Sequence, residues 1–141
     1  MSEQELVRRI MSLEKQLERV QAVEYPQAIR LLSSTASVSL AGSSKTALYT
    51  VPAGRSCVVT HVVVRAASTN LNTASYGFGF DAGASDVIAG ATHTELTGST
   101  LYTVLTAKAG AKAGAAGDIF GIKCSATQSA TVTIDVFGRI Y

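Results

Sequence analysis

The chain has 141 residues and a formal net charge of +2; hydrophobic residues make up 47% of it and charged residues only 16%, against about 25% charged in an average globular domain. Such a length fits one domain, and so apolar and weakly charged a composition excludes intrinsic disorder. No apolar run approaches the roughly 18 residues of a membrane-spanning helix, and charged residues from Glu3 to Arg9 leave no place for the apolar core of a secretory signal.

The charge is unevenly placed. Residues 1–30 carry ten charged side chains and the other 111 residues carry twelve. From Ser2 to Glu24 there is no Gly, Pro or aromatic residue, and Leu, Glu, Gln, Arg and Lys dominate. All are good helix formers. Ser2 followed by Glu5 fits a capping box. Pro26 ends the pattern and pushes Tyr25 out of helical geometry.

Within this segment Leu6, Ile10, Leu13, Leu17 and Val20 recur at steps of 4, 3, 4 and 3. With Leu6 at heptad position d, Ile10 and Leu17 fall at a, and Leu13 and Val20 at d. That is the seam of a coiled coil, widened by Val7, Met11 and Val23. A lone helix of about 23 residues is marginal in water, so the seam predicts partners. Arg9 at g and Glu14 at the following e position meet across a parallel interface. The segment is read as a parallel self-associating coil over residues 1–25, a trimer ahead of a dimer. A helix laid on the chain's own β-domain is the alternative. A membrane-surface helix is disfavoured by balanced charges on its polar face.

Residues 26–34 read as a linker and 35–141 as an all-β domain. After Ser33 the composition shifts to Ala, Ser, Thr, Gly and Val, and period-2 alternation replaces the helical period. Ala36, Val38 and Leu40 alternate with Ser37 and Ser39. Further strands are expected at 46–51, 56–66, 75–81, 86–89, 92–96 and 100–106. Val51-Pro52-Ala53-Gly54 reads as a turn between two of them, as do Asp81-Ala82-Gly83 and Thr97-Gly98. The run of Val58, Val59, Val62, Val63 and Val64 predicts a central strand buried on both faces. Phe120, Ile122 and Cys124 share one strand face. So do Val132, Ile134, Val136 and Ile140, with Thr131, Thr133, Asp135 and Arg139 opposite. Eight or nine short strands without a helical interruption predict an antiparallel β-sandwich of jelly-roll type. Two segments read as loops. One is Ala67 to Ala74. The other is Ala107 to Gly117, which repeats Ala-Lys-Ala-Gly and lacks an apolar anchor.

Chemistry-bearing residues are sparse. His61 lies in the Val-rich strand and reads as packed. His93 and Glu95, two apart in an expected strand, would share a face, but the Pro-Cys-x-x-Cys element of zinc deaminases is missing. Asp81 and Asp86 sit on one turn and offer few of the six to eight oxygens calcium takes. The β-domain's carboxylates, Asp81, Asp86, Glu95, Asp118 and Asp135, are scattered. Cys57 and Cys124 lack metal-type spacing and read as buried thiols, or as a disulfide if their strands are neighbours. No nucleophile or phosphate-loop signature occurs, and Lys45, Arg55, Arg65, Lys108, Lys112, Lys123 and Arg139 form no basic stripe for nucleic acid. No enzyme activity and no cofactor or metal are expected.

Two stretches carry a resemblance. Arg9-Ile10-Met11-Ser12-Leu13-Glu14 resembles the trimerisation motif Arg-h-x-x-h-Glu of short coiled coils, where h is apolar. Tyr49-Thr50-Val51-Pro52-Ala53-Gly54, ahead of the Val-rich strand, is similar to a phrase of bacteriophage structural proteins. With the coil-plus-β-domain layout, the chain resembles trimeric phage head fibres, capsid decoration proteins and tail-fibre knobs. It departs from tail fibres in lacking a long repetitive shaft. The resemblance implies a homotrimeric virion protein that binds capsid or tail proteins. The alternative is an adhesin that binds a host-surface glycan. The low charge after residue 30 is itself an expectation of a buried surface between subunits.

Overall fold

The computed structural model describes residues 2–24 and 28–141, with helix side chains described through Gln16. Tyr25 and Pro26, expected to end the helix, lie outside the described residues. One helix, α1 (Glu3–Glu24), precedes eight strands: β1 (Arg30–Ser39), β2 (Thr46–Thr50), β3 (Cys57–Arg65), β4 (Ser75–Gly79), β5 (Ile88–Ala91), β6 (Tyr102–Thr106), β7 (Ile119–Ala126) and β8 (Thr131–Ile140). They form two antiparallel four-stranded sheets, ordered β1-β8-β3-β6 and β2-β7-β4-β5. Only the β4–β5 connection stays within one sheet; every other one crosses to the opposite sheet. The chain is therefore mostly β, a sandwich with an N-terminal helix.

Alternation builds the core. Val132, Ile134, Val136 and Ile140 of β8 point inward and are buried, as expected, and meet Phe120, Ile122 and Cys124 of β7 from the other sheet. Tyr76 and Phe78 pack edge-to-face at 5.9 Å, and Phe120 lies 5.3 Å from Phe80. Gly138 lets two strands close up: a Cβ there would strike the Val58 carbonyl of β3.

Four expectations need correction. β1 begins at Arg30, inside the segment read as linker, and takes two irregularities on its way to Ser39. The stretch 92–96 is a turn, not a strand, with Leu96 N–H donating to the His93 carbonyl at 3.2 Å. β3 is interior to its sheet but buried on one face only: Val58 is 37% exposed and Val63 half-buried, with a bulge at Thr60. Among the described residues, the outward-facing Val58, His61, Val63 and Arg65 stay wholly or partly exposed.

The fourth correction is the Ala-Lys-Ala-Gly segment. It is a strap bonded along its length. Ala107 N–H donates to the Thr60 carbonyl and Lys108 N–H to that of Val87, both at 2.9 Å; Gly114 and Cys57 exchange both backbone bonds at 2.8 and 2.9 Å. Ala107 and Ala111 pack on the core. Small side chains allow this close backbone approach. The 67–74 loop is also fastened. The Gln128 side chain accepts from Thr73 and Ala74 N–H and donates to the Asn70 carbonyl, and Leu71 is fully buried.

Candidate oligomerisation site

Ser2 caps α1: its Oγ accepts from Glu5 N–H at 3.2 Å, satisfying one of the helix's orphan donors. Beyond the cap, every described helix side chain is exposed through Gln16. Leu6 (51%), Ile10 (47%) and Leu13 (64%), spaced i, i+4 and i+7, form one apolar stripe, with Val7 and Met11 beside it, also exposed. Over these residues the helix is not buried on its own β-domain. Arg9 and Glu14 are exposed on its flanks. The side chains of Leu17 and Val20, which continue the seam, lie outside the described residues. Burying a Leu or Ile side chain is worth about 1.5–3 kcal/mol. The exposed stripe leaves that stabilisation to a partner.

The remaining candidates sit in local packing and hydrogen-bond contacts. His61 lies on the outer face of the β1-β8-β3-β6 sheet, stacked on Phe137 at 4.6 Å and bonded through Nδ1 to Thr60 Oγ1 at 3.0 Å. His93 Nδ1 lies 3.5 Å from Glu95 Oε1 in the turn before β6. Glu95's own backbone N–H, then the Thr103 hydroxyl, hold its carboxyl below the usual range. Burial pushes the Tyr76 hydroxyl up, aided by Glu95 and Cys124. Asp81 and Asp86 serve their own turn, accepting from Ser85 N–H at 3.2 Å and Phe80 N–H at 2.7 Å. Asp118 accepts from Ala115 N–H at 2.9 Å. Among the described residues, no three His, Cys, Asp or Glu side chains gather as metal ligands. Cys57 and Cys124 are buried free thiols on strands of opposite sheets. Burial raises the Cys57 thiol to about 11 against the opposing pull of Arg30, and also raises Cys124.

Asp135 joins two neighbouring strands to β8. Its Oδ2 accepts from Arg65 Nε at 2.8 Å and its Oδ1 from Ser34 Oγ at 2.5 Å. The Arg65 bond, then the Ser34 hydroxyl, hold its carboxyl below the ordinary 3.8 against the opposing effect of burial. A depressed folded-state value means stability is present above the unfolded value and lost as pH falls through the folded one. The thermal midpoint is therefore expected to drop below about pH 4. Asp135→Asn should flatten that drop, leaving the part due to Glu95. An equally steep profile in the variant, by calorimetry, would contradict the assignment.

Sequence reasoning missed one feature, a trough of about 420 Å³ on the outer face of the β2-β7-β4-β5 sheet. Its walls include Gly77, Gly90, Ser85, Lys123 and Ser125. Gly77 makes room for the 81–90 segment to cross: a Cβ would lie 2.8 Å from the Ala84 carbonyl oxygen. Gly77 and Gly90 were the only hint in the sequence, and glycine alone does not signal a groove. No family model, curated protein or solved structure matches the chain.

Proposed function

We propose that this chain is a non-enzymatic structural protein of a bacteriophage virion. In this reading it is a homotrimer, attached to capsid or tail proteins as a decoration or head-fibre component, and it displays its β-sandwich as a knob. The observation that carries the reading is the exposed stripe of Leu6, Ile10 and Leu13 beside a β-domain that fills its own core. A helix whose described side chains, through Gln16, are all exposed is suited to joining chains, and the Arg9–Glu14 spacing favours a parallel trimer. Leu17 and Val20 would extend the seam. The strand orders β1-β8-β3-β6 and β2-β7-β4-β5 support a jelly-roll knob. Joining three knobs lets weak contacts act together through avidity.

The adhesin reading keeps a place because of the trough, which offers Lys123 and two serines to a polar ligand. One experiment separates the two. Particles from cells expressing the chain with its phage genes are purified and the chain is located by immunolabelling, while the pure protein is screened on a glycan array. Stoichiometric label on capsids or tails without glycan signal supports the structural role. Glycan binding abolished by Lys123→Ala supports the adhesin. Absence of the chain from every particle overturns the virion assignment.

A further inference from the structure

We propose that the outer face of the β1-β8-β3-β6 sheet is covered by neighbouring copies of the same chain, so that the knobs as well as the helices form the subunit interface. This rests on the helix-mediated association proposed above. The strand register defines the face. Phe137 of β8 is paired with Leu31 of β1 on one side and His61 of β3 on the other, and Val63 is paired with Val104 of β6. Paired residues share a face of the sheet. Leu31 (52%), Val104 (49%), Tyr102 (68%) and Val58 (37%) are exposed there, with Phe137 and Val63 half-buried between them. β3 thus carries the sequence of a strand buried on both faces, yet in one chain only one face is covered. A clustered apolar surface of this kind marks an interaction site.

Three observations select a second copy as the occupant. The first is charge. Asp135, midway along β8, is neutralised within one chain by Arg65 at the end of β3, and Arg139, paired with Val58, lies towards the other end of the face. A symmetric assembly brings like residues together around its axis, and a centre already neutral avoids like-charge repulsion there. The second is the tether. β1, the edge strand of this sheet, starts six residues after the helix ends at Glu24, a reach of at most about 22 Å. Joined helices therefore hold the Leu31 edges of the copies close to one another, at high effective concentration. The third is size. β1, β8, β3 and β6 have 10, 10, 9 and 5 residues; at about 3.3 Å per residue and about 4.8 Å between strands they cover roughly 540 Å² before side-chain relief. A stable interface takes about 800 Å² per partner, of which the face alone supplies about two thirds. The opposite sheet lacks these features: its outer side holds the glycine-lined trough and the crossing 81–90 segment.

The test is the full chain carrying Val58→Lys and Val104→Lys, compared with wild type and with Ile10→Lys/Leu13→Lys by sedimentation across a concentration series. Both valines are exposed in the single chain, so the far-ultraviolet β signal should persist; Val104→Thr is a milder second variant. The expected result is at least a tenfold rise in the concentration for half-dissociation of the face variant, with a smaller rise for Val104→Thr. Unchanged assembly of both face variants, with dissociation of the helix variant, overturns the covered face and leaves the helix reading standing. Dissociation by the face variant alone supports the face and removes the helix reading. Unchanged mass together with lost binding to particles or glycan would show that another partner covers the face, and also overturns the proposal.

Discussion

Replacing Ile10 and Leu13 together by Lys is expected to dissociate the proposed trimer to a single chain of 14.6 kDa. Both side chains are about half exposed or more on the described helix, and both belong to the stripe begun by Leu6. In a parallel trimer the change removes six apolar side chains from the seam. At about 1.5–3 kcal/mol each the lost burial is roughly 9–18 kcal/mol per trimer, and six ammonium groups would crowd around one axis. The affinity of such a short coil does not survive a loss of that order. Because these side chains touch no core residue, the monomer should keep its β-sheet circular dichroism. Light scattering that returns the wild-type mass would show that the seam does not hold the assembly.

Phe120→Ala is expected to lower the folding free energy by about 3–5 kcal/mol, the range for deleting a buried aromatic ring. Phe120 has no exposed surface and lies between two other rings of the aromatic row, 6.2 Å from Phe78 and 5.3 Å from Phe80. β7, which carries it, lies between β2 and β4, so the strands around the void are held by ladders on both sides and relax little. Domains are stable by about 5–15 kcal/mol, and a domain of this size, between the small and large classes, shifts by about 3–5 °C per kcal/mol. The melting midpoint should therefore fall by roughly 9–25 °C. Calorimetry must compare the variants at one chain concentration, because association itself stabilises the folded chain. A shift of only a few degrees would mean that the core collapses into the space.

Much of the fold was legible because its signals are local. The 3.5-residue spacing of Leu6, Ile10 and Leu13 needs only helix geometry, and the exposed stripe agrees with it. The alternation from Ala130 to Tyr141 needs only strand geometry, and β8 buries the four residues that it assigns inward. The turn Val51-Pro52-Ala53-Gly54 is also local: Arg55 N–H donates to the Pro52 carbonyl at 3.2 Å, and Gly54 takes the left-handed φ of 72°.

The misreadings share one cause, contact between residues distant in sequence. Residues 92–96 alternate like a strand, yet the backbone turns there: Leu96 is buried, and its carbonyl accepts from Leu71 N–H in a distant loop. The Ala-Lys-Ala-Gly strap has no local order signal, but Val51, Cys57, Thr60, Asp86 and Val87 bond it along its course. β1 reaches back to Arg30 because β8 offers a partner edge as far as Gly138. The candidate seam was legible at the helix, where periodicity reports it; the apolar face of the β1-β8-β3-β6 sheet was not, because its residues come from four strands brought together only by register.

By itself, then, the sequence determined that a helical period gives way to a strand period, which side of the helix and of β8 is apolar, and how few charges the β-domain can place at its surface. Those properties depend on neighbours within a turn of helix or a few residues of strand. The tertiary structure alone decided the pairing of eight strands into two sheets and the fastening of two apparent loops. It also decided which sheet leaves its outer face apolar and uncovered. Each of those depends on backbone hydrogen bonds and side-chain neighbours that can be more than a hundred residues apart, and no local spacing records them.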